Sequence, residues 1–215
     1  QVSAGNGRFK GIRYGAGYDT STAINNSHTD PPSGLYNDTI FREGFAKLRQ
    51  FDLSFEAWLY HTQILDVVSL AEAFPDQKIV LNHLGGPIGI GPYEGKQKEV
   101  FDKWKRSINA LSKHSNVYVK LGGLGMVLNG YQLDKRETPP SSIELSELWR
   151  PYFDATIEAF SPKRCMFESN FPVDKVTSSY AVYWNCFKRI TQNASKEEKQ
   201  FLFHDTANQF YKLDL

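Results

Sequence analysis

Residues 78–87 read KIVLNHLGGP. The apolar run at 79–81 has the length and the β-branched character of a strand, and His83 with the Gly-Gly-Pro string ends it. Over residues 99–113, apolar side chains recur at helical spacing. The stretch therefore predicts a β-strand, a loop and an α-helix, which together form one βα unit.

The same unit recurs on both sides of this stretch. Strands are predicted over residues 9–14, 53–59, 78–81, 116–121 and 164–168. Helices are predicted over residues 37–50, 64–74, 99–113, 143–160, 176–191, 195–204 and 205–211. Five successive βα units without a linker predict one α/β domain, residues 1–215, with a parallel sheet. An open doubly wound sheet and part of a (β/α)8 barrel both fit this order, and both place the site at the carboxyl ends of the strands.

Composition narrows the classes of function. The chain has 25 Lys and Arg residues against 24 Asp and Glu residues, and it has no long basic run. We therefore expect no nucleic-acid partner. The apolar runs are shorter than the roughly 20 residues of a membrane helix, and no signal sequence opens the chain, so a cytoplasmic protein without a membrane partner is expected. Cys165 and Cys186 are predicted to be free, buried thiols.

Three strings at the predicted strand ends carry a resemblance to a known family. They are KIVLNHLGGP at 78–87, NVYVKLGGLGM at 116–126 and RCMFESNFPVD at 164–174. In order and spacing they resemble the amidohydrolase-related family, and within it the sugar-lactone and 2-pyrone-4,6-dicarboxylate lactonase branch. FKGIRY at 9–14 and HDTANQFYKL at 204–213 are similar to further strings of that family.

The resemblance implies a TIM barrel in which the five predicted strands are strands four to eight. This chain would then be the C-terminal portion of the barrel. Three further βα units would add roughly 90 residues. A missing N-terminal segment or a second chain is therefore expected to complete the barrel.

The resemblance also implies hydrolysis of a small-molecule substrate, a lactone or a similar cyclic ester, by attack of water on a carbonyl group. Many relatives bind a divalent metal such as zinc through a His-x-His string, which does not occur in these 215 residues. Metal-dependent and metal-independent catalysis both stay open, with His83 as the candidate metal ligand. Two other functions also stay open: non-oxidative decarboxylation of an aromatic or unsaturated acid, and a non-catalytic fragment or binding domain.

His83, Glu168 and Asn170 are the candidate catalytic residues. His83 follows a buried strand and precedes a tight turn, so its imidazole is expected at the mouth of the barrel, where it could polarise a carbonyl group. The catalytic Asp of the family falls on Asn170, whose amide cannot take a proton at neutral pH but can orient water. Glu168 and Asp174 are the nearest carboxylates that could replace that Asp, and an ion pair at the rim is the alternative for Glu168.

Five further residues are candidates for binding the substrate. Arg13 ends the first strand and suits either capture of a substrate carboxylate or an ion pair. Trp58 and Tyr60 share a strand face, with His61 opposite, and could stack on a substrate ring or simply pack. Lys120 lies in an apolar strand, so it either holds a substrate oxygen or, as we favour, pairs with a carboxylate from a neighbouring strand.

Overall fold

The computed structural model describes residues 4–213 and 215, and its centre is a parallel sheet of five strands. The strands are β1 (Gly11–Gly15), β2 (Ser54–Trp58), β3 (Ile79–Leu81), β4 (Val117–Leu121) and β5 (Cys165–Phe167). They lie side by side in chain order, and every neighbouring pair is parallel. The prediction of five adjacent parallel strands is confirmed.

Helices connect the strands and close the chain. They are α1 (Thr39–Phe45), α2 (Ile64–Ala73), α3 (Gln97–Leu111), α4 (Ser142–Phe160), α5 (Tyr180–Ile190), α6 (Lys196–Gln200) and α7 (Thr206–Tyr211). A single π-helical turn joins α6 to α7, and Ser195 with Glu198 forms a capping box at the start of α6. Two predicted helices are shorter in the structure. The segment predicted over residues 37–50 is helical only in α1, with 3₁₀ turns on both sides, and α5 begins at Tyr180 because Ser179 caps it.

The alternation of side chains along the strands gives the sheet two different faces. The outer face is apolar and packs against the helices in the main core, which includes Phe55, Ile79 and Val117. On the inner face, the register places Arg13 beside Glu56. Charged residues in parallel strands are therefore concentrated on the inner face.

The last helix covers part of the inner face. Phe210 of α7 packs in a cluster with Val80 and Met166, and Tyr211 lies against the same cluster. At the side of the sheet, Ile12 and Tyr14 of β1 are more than one third exposed, and among the described residues β1 pairs only with β2. The inner face is thus closed at the α7 end and open along β1.

Both cysteines are buried free thiols, as predicted. Within residues 4–213 and 215, no helix combines the length and the apolar character that crossing a membrane requires.

Candidate active site

The candidate catalytic residues lie where neighbouring strands end. His83 follows β3, while Glu168 and Asn170 follow β5. Because parallel strands all run in one direction, these residues share one edge of the sheet, as predicted. Trp58, the last residue of β2, lies beside them with its ring edge-on to the imidazole of His83, at 4.8 Å between ring centroids.

His83 and Glu168 form a close hydrogen-bonded pair. The distance between Nδ1 of His83 and Oε1 of Glu168 is 2.5 Å, and the backbone N–H of His83 donates to the same oxygen at 3.1 Å. The two side chains are only 6% and 15% exposed. Because a carboxylate only accepts hydrogen bonds, the Nδ1 atom carries a proton, and in the neutral imidazole the lone pair is on Nε2.

The charges around Glu168 keep it ionised. Burial raises the pKa of this carboxyl group, but the imidazole of His83 and the more distant Lys120 and Arg13 outweigh that effect and lower the pKa below its usual value. Glu168 is therefore an anion at neutral pH that can orient His83 and stabilise its protonated form.

Two glycines after β4 make room for this pair. A side chain at Gly122 would place its Cβ 2.2 Å from the backbone oxygen of Glu168, and one at Gly123 would place it 2.5 Å from Cβ of His83. Gly123 also has a positive φ of 77°, which glycine adopts without strain. Glycine is therefore required at 122 and 123 for Glu168 and His83, which follow β5 and β3, to lie this close to the end of β4.

The backbone at two catalytic candidates is strained. His83 and Asn170 both have a φ of 53°, in the left-handed region that side chains other than glycine rarely adopt. Such a conformation costs about 1–3 kcal/mol and is concentrated at functional sites. Seven further described residues other than glycine, Asp52 and Lys212 among them, also have a positive φ, so this conformation alone does not mark the site.

Asn170 is held by a buried acid. Its Nδ2 donates to Oδ1 of Asp174 at 2.7 Å, and the backbone N–H of Gly125 donates to Oδ2 at 3.1 Å. Burial raises the pKa of Asp174 to about 6, although these two hydrogen bonds lower it. Asp174 is wholly buried, so of the two carboxylates considered as a replacement base, only Glu168 is partly exposed at the edge.

Glu56, which the sequence analysis missed, organises the inner face. Its carboxylate accepts hydrogen bonds from Arg13 at 2.6 Å, Lys120 at 2.9 Å and the Tyr211 hydroxyl at 2.6 Å. Burial raises the pKa of Glu56, but Lys120, Tyr211 and Arg13 together bring it down to about 2. Lys120 pairs with a carboxylate, as favoured, but the predicted neighbouring strand is wrong, because β3 separates β4 from the β2 strand that carries Glu56. Arg13 lies in the middle of β1 and not at its end, and it is in an ion pair while remaining 46% exposed.

Tyr60 and His61 are held by contacts away from His83. The hydroxyl of Tyr60 donates to the backbone oxygen of Asn25, in the long loop after β1. His61 is 1% exposed, its Nδ1 accepts from the backbone N–H of Ile88, and burial lowers its pKa to about 4. Its ring packs against Tyr93, beside a cleft of about 450 Å³. Of the three residues that follow or end β2, Trp58 alone contacts the imidazole of His83.

The sequence matches the family model described as amidohydrolase over residues 3–213. The chain belongs to the amidohydrolase family. This amidohydrolase chain is 36% identical over 205 residues to the uncharacterized protein y4mH of Sinorhizobium fredii, a match that covers 95% of the chain and 61% of that protein. It is 25% identical over 178 residues to an L-fucono-1,5-lactonase of Burkholderia multivorans, covering 82% of the chain and 57% of the lactonase. The chain spans about three fifths of the length of these curated relatives.

Solved structures share the fold of the amidohydrolase chain. A crystal structure of an amidohydrolase from Burkholderia multivorans with bound HEPES has a TM-score of 0.79 at 22% identity, covering 98% of this chain and 68% of that chain. A zinc-bound structure of an amidohydrolase from the same organism has a TM-score of 0.76 at 22% identity, covering 94% and 64%. A protein of Pseudomonas putida assigned as a 2-pyrone-4,6-dicarboxylic acid hydrolase has a TM-score of 0.62 at 18% identity, covering 96% and 64%. These likenesses confirm the predicted α/β fold of the TIM-barrel type.

Zinc in the Burkholderia structure raises the question of a metal in the amidohydrolase chain. Among the residues that the structure describes, no three His, Cys, Asp or Glu side chains are grouped so as to hold a metal ion. His83 offers only its Nε2, because Nδ1 is bonded to Glu168. The described residues alone do not fit a metal site, so the chemistry below is derived from the side chains of the chain itself.

Proposed function

We propose that the protein containing this chain hydrolyses a small lactone or a similar cyclic ester, and that the pair of His83 and Glu168 activates the water. The observation that carries this proposal is the 2.5 Å contact between Nδ1 of His83 and Glu168 at the carboxyl edge of the sheet. A buried imidazole held by an ionised carboxylate, with an Nε2 that bonds to none of the described residues, is an arrangement suited to general base catalysis.

The reaction can be written with the residues of this edge. As the water oxygen attacks the ring carbonyl, Nε2 of His83 takes one of its protons, and the carbonyl electron pair moves to oxygen. Glu168 stabilises the imidazolium that forms. When the tetrahedral intermediate collapses, the ring C–O bond breaks and Nε2 returns the proton to the leaving alkoxide. The products are one hydroxy acid and the unchanged pair.

The surrounding residues would bind and orient the substrate. Asn170 can accept a hydrogen bond from the water but cannot deprotonate it. Arg13 is 46% exposed, so its guanidinium can bind a carboxylate of the substrate while it stays paired with Glu56. Trp58 offers an aromatic edge beside His83 for the sugar or pyrone ring.

We also propose that residues outside this chain complete the barrel along β1. The exposed Ile12 and Tyr14 and the free edge of β1 in the described residues support this proposal. The greater length of the relatives is consistent with it. In such a barrel the additional strands would also close the inner face around Arg13. Whether additional strands bring metal ligands is tested by metal analysis of the complete protein.

An assay of the complete protein against sugar lactones and a pyrone dicarboxylate tests the function. The substitution His83→Ala is expected to lower kcat/KM by about 100-fold or more, the scale of a lost catalytic group. His204→Ala is the matched control, because His204 is 45% exposed and its partner among the described residues is the adjacent Asp205. An unchanged rate in His83→Ala would make His83 structural, and release of carbon dioxide from an aromatic acid would support decarboxylation instead.

A further inference from the structure

Asn170 and Asp174 form a closed ring of hydrogen bonds at the end of β5. The Nδ2 atom of Asn170 donates to Oδ1 of Asp174 at 2.7 Å, and the backbone N–H of Asp174 donates back to the backbone oxygen of Asn170 at 3.1 Å. The acid is near enough to the catalytic pair for both His83 and Glu168 to affect its pKa. The ring therefore connects a fully buried acid to a residue on the catalytic edge.

Neighbouring groups fix the position of Asp174. The backbone N–H of Gly125 donates to Oδ2 at 3.1 Å, and the hydroxyl of Tyr183 donates to the backbone oxygen of Asp174 at 3.2 Å. A side chain at Gly125 would place its Cβ 1.8 Å from the Tyr183 hydroxyl, so this contact requires glycine. Both carboxylate oxygens of Asp174 thus have a fixed donor.

A carboxylate in this position determines which end of the Asn170 amide faces outward. An amide can present either NH₂ or oxygen, and its hydrogen-bond partners decide between them. Because the carboxylate only accepts, the NH₂ group must turn toward Asp174. The Oδ1 atom then turns away from it, and it accepts no hydrogen bond from the part of the chain that the structure describes.

We propose that Asp174 is a positioning residue that holds Asn170 with its amide oxygen directed toward the attacking water. The catalytic consequence rests on the hydrolysis proposed above, whereas the orientation of the amide does not. An oxygen in this orientation accepts one water proton and leaves a lone pair of the water free for the carbonyl carbon. The reversed amide would offer an N–H and would bind the water by that lone pair instead.

Asp174→Asn should reverse the Asn170 amide without removing a hydrogen bond. In this variant the backbone N–H of Gly125 needs the Oδ1 of the new amide, so the new NH₂ must face Asn170. Asn170 then turns its own oxygen inward and presents its NH₂ to the water. A merely structural role of Asp174 predicts the same reversal of the amide but no loss of kcat/KM.

The exchange of the two residues supplies a second variant. Asn170→Asp alone places two carboxylates about 2.7 Å apart in a buried site, so one of them must stay protonated. Asn170→Asp combined with Asp174→Asn leaves one carboxylate and one amide. The new amide can then give its NH₂ to residue 170 and its oxygen to Gly125, as the ring requires.

The test combines side-chain amide NMR with kinetics on the parent, both single variants and the double variant. In the parent, the Asn170 amide protons should exchange slowly because they are bonded to a buried acid. In Asp174→Asn they should exchange at least about tenfold faster, and kcat/KM should fall about tenfold, the scale of one hydrogen bond. Asp102→Asn, on the exposed face of α3, is the control that should change neither measurement.

The outcomes separate the two proposals. Rapid exchange of the Asn170 amide in the parent, or equal exchange in parent and Asp174→Asn, would overturn the assigned orientation. Altered exchange together with unchanged kcat/KM would overturn the catalytic role of Asp174. Recovery of stability at pH 8 in the double variant, relative to Asn170→Asp, would support the ring. If the parent hydrolyses no lactone, the proposed function fails, and the exchange rates alone decide the orientation.

Discussion

Glu56 is a partly buried and Asp174 a fully buried carboxylic acid, and their surroundings move their pKa values in opposite directions. Glu56 meets two cations and a phenol, which bring its pKa to about 2 despite burial. Within the described residues, the carboxylate of Asp174 meets the neutral donors of Asn170 and Gly125 at hydrogen-bond distance, and burial raises its pKa to about 6. The charges of the neighbours, more than burial, decide which acid stays ionised.

Glu56→Gln should destabilise the fold at neutral pH. The folded-state pKa lies below the usual value of 4.5, so the ionised Glu56 stabilises the protein above pH 4.5, and this contribution disappears as the pH falls toward 2. A shift of this size corresponds to about 3 kcal/mol. Urea unfolding at pH 7 and at pH 2.5 measures the difference, with the exposed Glu147→Gln as control. An equal loss of stability at both pH values would show that the pKa of Glu56 is not lowered in the folded protein.

The sign is reversed for Asp174. Its pKa is raised from 3.8 to about 6, so the folded state loses stability as the pH rises from about 4 to 6, while the unfolded chain ionises first. Asp174→Asn removes this loss, which is about 3 kcal/mol at its full extent. The free energy of unfolding of the variant minus that of the parent should therefore be larger at pH 7 than at pH 4. The same difference at pH 4 and pH 7 in chemical denaturation would show that Asp174 does not titrate in this range.

At the level of elements, the periodicity of the sequence predicted most of the fold. The five strands lie within two residues of their predicted bounds. The buried strands β2 to β5 have clear apolar runs and differ by one residue at most, whereas the largely exposed β1 begins two residues later than predicted. The catalytic pair could be predicted only in part. His83 and Glu168 were identified from their strand ends, but their contact joins residues 85 positions apart and depends on the register of β3, β4 and β5. Glu56 had no local signal, because its partners come from β1, β4 and α7.

Gly123→Ala tests the close approach of the loops that follow β3 and β4. The added Cβ would lie 2.5 Å from Cβ of His83, so His83 must move away from Glu168. Gly95→Ala is a matched control, because Gly95 has a similar φ of 73° but no atom within 4 Å of an added Cβ. Both variants carry the backbone strain, and Gly123→Ala should lose about 1–3 kcal/mol more stability by overpacking. Thermal unfolding measures this difference, and equal losses would remove the steric argument.

At the level of the whole molecule, a hydrogen bond links α7 to β2. The hydroxyl of Tyr211 donates to Glu56 across a separation of 155 residues. Tyr211→Phe should cost about 1.5–3 kcal/mol, as expected for a hydrogen bond to a charged group. Tyr180→Phe, which is 53% exposed, is the control. Equal unfolding midpoints of the two variants would show that this contact does not stabilise the fold.

The bond between Tyr211 and Glu56 also sets an order of events during synthesis on the ribosome. At about 5–20 residues per second, the 155 residues between them take on the order of ten seconds to translate. Lys120 follows Glu56 by only 64 residues, so it can neutralise the acid first. Until α7 emerges, the apolar cluster around Val80 and Met166 lacks Phe210 as its cover. The nascent chain therefore exposes an apolar surface on its inner face for several seconds. A chaperone can bind this surface during that interval.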